Sequence, residues 1–361
     1  METTATKLKF TAQQEDLLVL KHLANIAKAS NINPILQYVN LEPISNTELK
    51  AWVTNIDITM STIIPVQMDE QEELSLNAQK LYQVISTMNG IVTFDDGCLK
   101  SKGKSGKVLN RTSEKMPYKD IIGTDYEINA KEFINQLKRT VYAANPEYTN
   151  NILSGVLVDG TKLVATDGAI LVVNTLSNKV LDEQIILPSK FVEELVKVFA
   201  NAETLTLTTD KGAIKVTDGV TTIISRLLEG IFPKYQQLIP KDSANVAVID
   251  RLALLDALSF ADTMINIKTN IAKLNFTQGQ LEISTNSEDG ESNATIDIEY
   301  SGSDLLIAFN AQYLNKMLKS YASSTVKIGM NSPLSATLIT DGVSEDVALI
   351  MPIQISNRGT K

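Results

Sequence analysis

The property that most restricts what this chain can fold into is that it repeats. A helical pattern, an extended pair, a second helical pattern and further extended segments recur three times, at intervals of roughly 115–120 residues. The first helices read Glu15–Ile26, Lys131–Val141 and Asp250–Phe260, each with apolar residues at i and i+3 or i+4. The second helices begin at Leu76-Asn-Ala-Gln-Lys-Leu81, Leu187-Pro-Ser-Lys-Phe-Val192 and Phe309-Asn-Ala-Gln-Tyr-Leu314. In each, an Asn, or a Pro followed by Ser, stands where a helix starts, because an Asn side chain caps free N–H groups and proline pre-sets φ.

Alternating, β-branched segments lie between the helices: Leu49–Asp57, Leu163–Asp167, Leu205–Leu207, Thr221–Ser225 and Leu281–Asn286. Asp-Gly turns at 159, 167, 218, 289 and 341 separate them. Each repeat is therefore predicted to be α+β, two helices packed on antiparallel sheet. The expected domains are residues 1–123, 124–242 and 243–361, with joints near Gly123-Thr124 and Lys241-Asp242-Ser243.

Composition narrows the chemistry. Of 361 residues 43% are apolar, enough for several cores, and Cys98 and His22 are the only cysteine and histidine. Disulfides within the chain, zinc clusters and Ser-His or Cys-His catalytic pairs are nearly excluded, and no cofactor is expected. No apolar stretch approaches the ~20 residues a spanning helix needs, and Met-Glu-Thr-Thr-Ala is no secretory start, so a cytoplasmic protein without a membrane partner is expected. The basic run Lys100–Lys107 lacks the spacing of a phosphate loop and reads as a solvated hairpin.

The net charge of −9 argues against a chain that clings to nucleic acid, but not against segregated charge. If the repeats close into a ring, the exposed helix stripes should be poor in acid. The helix from Lys131 is expected to bury Phe133, Ile134, Leu137 and Val141 and to face Asn135, Lys138, Arg139 and Tyr142 outward. The helix from Asn310 exposes Lys316 and Lys319, the helix from Asn77 exposes Lys80, and the first helix offers Lys21 and Lys28. Lys190 and Lys197 share their helix with Glu193 and Glu194, which suits pairs along the helix as well as DNA contact. A weakly basic lining, with neither stacking platform nor base-reading cluster, suits sequence-blind sliding.

Four stretches resemble the bacterial DNA polymerase III beta subunit, or beta sliding clamp, family: Leu153-Ser-Gly-Val-Leu157 followed by Leu163-Val-Ala-Thr-Asp-Gly168, Ser225–Pro240, Phe309–Leu314 and Leu349-Ile-Met-Pro-Ile353. The resemblance covers nearly the whole chain and implies three clamp domains per subunit. In that family subunits join head to tail as a homodimer, closing a ring around double-stranded DNA, with no catalysis. It further implies a pocket between the second and third domains for short linear motifs of polymerase and clamp loader. Carried over, the apolar part of that pocket is Leu153, Thr166, Gly168, Leu171, Pro233, Leu238, Leu349 and Met351, and Asn310, Tyr313, Ser335 and Ile353 flank a second subsite.

Departures from the family pattern mark a divergent member, bacterial or phage-encoded. Ala169-Ile170 stand in the pocket where His-Arg is common, Gln237 replaces a common basic residue, and Ser30 replaces another on the DNA side. Met264 and Ile265 are candidates for one side of the subunit contact. Two alternatives are a clamp-like peptide adaptor without ring closure and a carboxylate-dependent enzyme acting at Asp167.

Overall fold

A computed structural model describes residues 7–27, 33–109, 111–112, 117–145 and 151–355. The protein is α+β, with seven helices among these residues: α1 Gln14–Leu17, α2 Leu20–Ile26, α3 Ala78–Ile85, α4 Ala130–Val141, α5 Ser189–Val198, α6 Arg251–Ala261 and α7 Ala311–Ser320. None of them is long and apolar enough to cross a membrane. The expected first helix, Glu15–Ile26, is broken into α1 and α2. Its N–H groups at Leu18, Lys21 and His22 bond carbonyls three residues back, a tighter turn than an α-helix makes. The buried stripe of Leu17, Leu20 and Leu23 continues through the break.

Local chemistry accounts for where the helices begin. Asn77, Asn129, Asp250 and Asn310 each sit just before a helix, and their side-chain oxygens accept the backbone N–H of Lys80 at 3.0 Å, Glu132 at 2.9 Å, Ala253 at 2.8 Å and Gln312 at 3.0 Å. These bonds satisfy donors that the first helical turn leaves without partners. Pro188 precedes Ser189, the first residue of α5.

The chain divides into two compact units, the division falling inside α4 and α5. One unit comprises residues 1–134 and 194–227. It contains a five-stranded sheet ending at the edge strand Lys104–Lys107 and a nine-stranded sheet in which Ile58–Pro65 pairs with Thr221–Arg226. The basic run Lys100–Lys107 forms a hairpin of Cys98–Ser101 and Lys104–Lys107, its four lysines exposed. The other unit comprises residues 135–193 and 228–361. It repeats the plan with a nine-stranded sheet in which Ile170–Thr175 pairs antiparallel with Val347–Ile350, and a four-stranded sheet with Gly290–Asp297 at one edge.

Burial follows the number of covered faces. The strand Ile271–Thr277 alternates buried and half-buried residues, as one packed face requires. By contrast, Val156–Val158, Leu163–Thr166 and Ile170–Asn174 are buried at every position, so both faces of their sheet are covered.

Candidate functional site

Register decides which side chains share a face. Across the second unit's nine-stranded sheet, Thr166 stands opposite Leu171, Leu171 opposite Leu349, and Leu349 opposite Leu338. Two residues along, Val164, Val173 and Val347 form a parallel row on the same face. Leu157, Ile186, Phe232 and Tyr235 complete the buried cluster on this face, and Ile152, Leu228 and Ile239 pack against its edge. The segment from Leu228 to Ile239, which includes the short 3-10 helix Tyr235–Gln237, thus packs against this face.

Polar anchors fix that segment. The Leu228 N–H donates to the Ile186 carbonyl at 3.0 Å, and the Tyr235 hydroxyl donates to Asp159 at 3.1 Å. Gln184 donates to the other oxygen of Asp159 at 2.8 Å. Burial, then the charge and hydrogen bond of Asp159, push the Tyr235 phenol up to about 12, so it stays a donor at all physiological pH. Beside this covered floor, Leu238 and Met351 remain 56% and 45% exposed. Exposed aliphatic side chains rimming an apolar floor form a surface that an extended peptide with an apolar anchor can cover.

The structure brings together Thr166, Leu171 and Leu349 in the floor, with Met351 extending the strand by an N–H bond to the Ala169 carbonyl at 2.8 Å. Pro233 and Leu238 lie exposed on the segment Leu228–Ile239, Leu153 is half-buried in the short turn Ile152–Ser154, and Gly168 is exposed with φ of 92°. Ile170 is a correction. It pairs with Ile350 and alternates with Leu171, so its side chain lies on the opposite face, 2% exposed, and cannot meet the same ligand. Of the second group, Asn310 caps α7 through Gln312 and Tyr313, and the Ile353 N–H bonds the Ala308 carbonyl at 2.7 Å, which holds these three near the start of α7. The hydrogen bonds of Ser335 stay within its own turn, to Ser332.

Leu338, Phe232, Tyr235 and Asp159 were not predicted as site residues. Leu338 is found only through register, and Asp159 only through its distant partner Tyr235. Asp167 is engaged structurally, one carboxylate oxygen accepting the N–H groups of Ala169 and Ile170, both at 2.9 Å.

The candidate DNA-side cations separate into groups. Lys21, Lys138, Lys190, Lys316 and Lys319 are exposed. Lys80 is exposed too, but it lines a cleft of about 510 Å³ with Lys104, Lys107 and Leu109. Lys28 lies outside the described residues, as does Ser30. Lys197 is also exposed, and it pairs with Glu194 on its own helix at 2.9 Å. Two expectations are corrected. Arg139 turns inward, ion-paired to Asp346 at 2.8 Å and donating to the Ser320 carbonyl at 2.7 Å and to Gln136 at 2.9 Å. Its guanidinium matches a fixed set of acceptors, and that geometry outweighs exposure to solvent. Tyr142, also expected outside, has a buried hydroxyl, and burial raises its phenol to about 12.

Comparison with known proteins gives consistent results. The family model of the DNA polymerase III beta subunit central domain matches residues 127–234, and that of the C-terminal domain matches residues 236–354. The chain is 24% identical to the beta sliding clamp of Chlamydia muridarum, covering 96% of this chain and 99% of the relative. Identity to the beta sliding clamp of Synechococcus elongatus is 26%, covering 96% and 100%. Among solved structures, a sliding clamp, DNA polymerase III subunit beta, from Bartonella birtlesii bound to griselimycin has a TM-score of 0.88 at 21% identity, covering 97% of this chain and 100% of that one. The DNA polymerase III beta subunit of Thermotoga maritima has a TM-score of 0.87 at 17% identity, with coverage of 97% and 100%.

Proposed function

Because the chain belongs to the DNA polymerase III beta subunit family, we propose that it is a DNA polymerase processivity clamp, a non-catalytic cytoplasmic protein that encircles duplex DNA and tethers its partners. The observation that carries the reading is the apolar row of Thr166, Leu171, Leu349 and Leu338 with Leu238 and Met351 exposed beside it. Short linear motifs of the polymerase and clamp loader dock there, and the group of Asn310, Tyr313, Ser335 and Ile353 receives the rest of the motif. With Ala169 where a His is common in the family, the site favours apolar anchors over charged ones. A tether of this kind keeps the polymerase at high effective concentration near the primer end, so loss of one contact is followed by rebinding rather than escape.

The three-domain division 1–123, 124–242 and 243–361 is part of the proposal. So is closure by two copies joined head to tail, which two complementary edges support. The strand Lys104–Lys107 ends one sheet and carries exposed Lys100, Lys102, Lys104 and Lys107 on its hairpin, with Leu109 70% exposed beyond it. The strand Gly290–Asp297 ends another and carries exposed Glu288, Asp289, Glu291 and Asp297 on its hairpin. Phe260, 55% exposed, and Met264, whose sulfur lies 3.6 Å from the position a Cβ on Gly290 would take, supply apolar surface in that unit. Joining these edges would pair two open strands and opposite charges at once. DNA contact falls to the exposed Lys21, Lys80, Lys138, Lys190, Lys197, Lys316 and Lys319, few enough for sliding without drag.

Two measurements test the reading. The native mass should be that of a dimer, and protein loaded on circular DNA should survive high salt and leave once the DNA is linearised. A monomer, or equal release from both DNAs, would instead favour an adaptor that does not close. For the docking face, Met351→Ala should weaken a labelled peptide carrying a Gln and a Leu-Phe anchor about tenfold, with an unchanged melting temperature; undiminished affinity would remove this face from the proposal.

A further inference from the structure

The pocket strand presents a problem that its own sequence does not solve. Val347-Ala-Leu-Ile-Met351 is apolar at every position, so alternation of polar and apolar residues does not fix which side chains face the docking side. A slip of one residue would exchange Leu349 and Met351 for Ala348 and Ile350 while keeping an apolar strand beside the apolar run Ile170–Val173. Some other device has to hold the register.

That device is found at the far end of the same strand. Asp346, its side chain 3% exposed, immediately precedes Val347. One of its carboxylate oxygens accepts the N–H of Thr175 at 2.7 Å, a bond that ties it to the last residue of the neighbouring strand Ile170–Thr175. The other oxygen meets Arg139 at 2.8 Å. The Thr175 carbonyl accepts from Gln136 at 2.9 Å, and the Gln136 side-chain oxygen accepts from Arg139 at 2.9 Å. The four groups thus close a cycle, and Arg139 secures it further through the Ser320 carbonyl at the end of α7. A charge this buried is held only by a complete set of partners, and shifting the strand by one residue would break all of them together.

We propose that Asp346, oriented by Arg139, is a positioning residue for partner binding, fixing the register of Val347–Ile350 and thereby the side on which Leu349 and Met351 stand. The inference rests on the reading of that face as the peptide site. Arg139 contributes to function through the docking strand rather than through DNA.

The test compares the full-length wild type with Arg139→Met/Asp346→Leu, which removes the pin without stranding a buried charge, and with Asp346→Asn, which keeps an oxygen for Thr175. Two readouts are taken: affinity for the labelled Gln and Leu-Phe peptide, and hydrogen exchange at the Met351 amide, which bonds the Ala169 carbonyl. The double variant should bind about tenfold more weakly and exchange faster at Met351, with Asp346→Asn in between. Equal peptide affinity in wild type and double variant, or an undisturbed Met351 amide, overturns the pin. A wild type that does not bind the peptide overturns the site reading and the positioning role with it, an outcome distinct from equal binding by both.

Discussion

Ile56 adopts φ of 82° while 52% exposed, a conformation that a β-branched residue disfavours. Its loop has two counterparts, Thr166-Asp167-Gly168 and Thr217-Asp218-Gly219, in which glycine takes φ of 92°. All three use the same bonds. The threonine oxygen accepts the N–H two residues on, at 3.2, 3.1 and 3.1 Å, and the Asn or Asp oxygen accepts the N–H three residues on, at 2.8, 2.9 and 2.7 Å. Ile56→Gly should therefore stabilise the chain by about 0.5–1 kcal/mol, relief of the left-handed cost exceeding the added freedom of the unfolded chain, as a denaturant midpoint would record. A loss of stability would mean that the isoleucine side chain makes a contact worth more than the strain. His22 gives a pH dependence. Burial lowers its pKa below the ordinary 6.5, opposed by Glu194 and reinforced by Lys21 and Lys197. Above 6.5 the imidazole is neutral in both states and contributes no slope; as pH falls below 6.5 the unfolded chain takes the proton first, and stability declines until the lowered folded pKa is passed. Urea midpoints at pH 7 and pH 5 should differ less for His22→Leu than for the wild type.

Helix starts are the elements most fully written in the chain, since an N-cap depends on a residue and its next three neighbours. Asn77, Asn129, Asp250 and Asn310 each accept the N–H three residues on, two of them in each unit. Asn77→Ala should cost about 1 kcal/mol, seen as a lower melting temperature, and Asn77→Asp should restore most of it. Cost-free removal would mean that packing alone holds α3. The break between α1 and α2 was not legible, because the apolar stripe passes through it unchanged and only the three-residue hydrogen bonds reveal it. Nor was the inward turn of Arg139. Helical spacing placed it on an outer stripe, but its acceptors come from Asp346 and Ser320, far away in the chain.

At the scale of the whole molecule, the two units share one plan, and the strands of the middle third are divided between them: Thr204–Asp210, Ala213–Thr217 and Thr221–Arg226 in one nine-stranded sheet, Gly155–Asp159, Lys162–Thr166 and Ile170–Thr175 in the other. Each nine-stranded sheet thus combines strands of the middle third with strands from one end of the chain. The open edges bear on assembly. Lys104→Glu/Lys107→Glu should place acid against the acid of Gly290–Asp297 and shift the native mass from dimer to monomer, and adding Glu291→Lys to the double variant should recover dimer. A variant that stays dimeric would move the subunit contact elsewhere.

The sequence by itself determined the α+β class, the helix starts, the hairpin turns and the family, because each rests on patterns repeated over short stretches or on motifs in fixed order. It also named Leu171, Leu349 and Met351, through the resemblance. Only the tertiary structure decided that Ile170 turns away from them, that Leu338 and the segment anchored by Tyr235 complete the floor, and that Arg139 turns inward to Asp346. Those outcomes depend on strand register and on partners distant in the chain, and a strand as uniformly apolar as Val347–Ile350 carries no local signal of which of its faces looks outward.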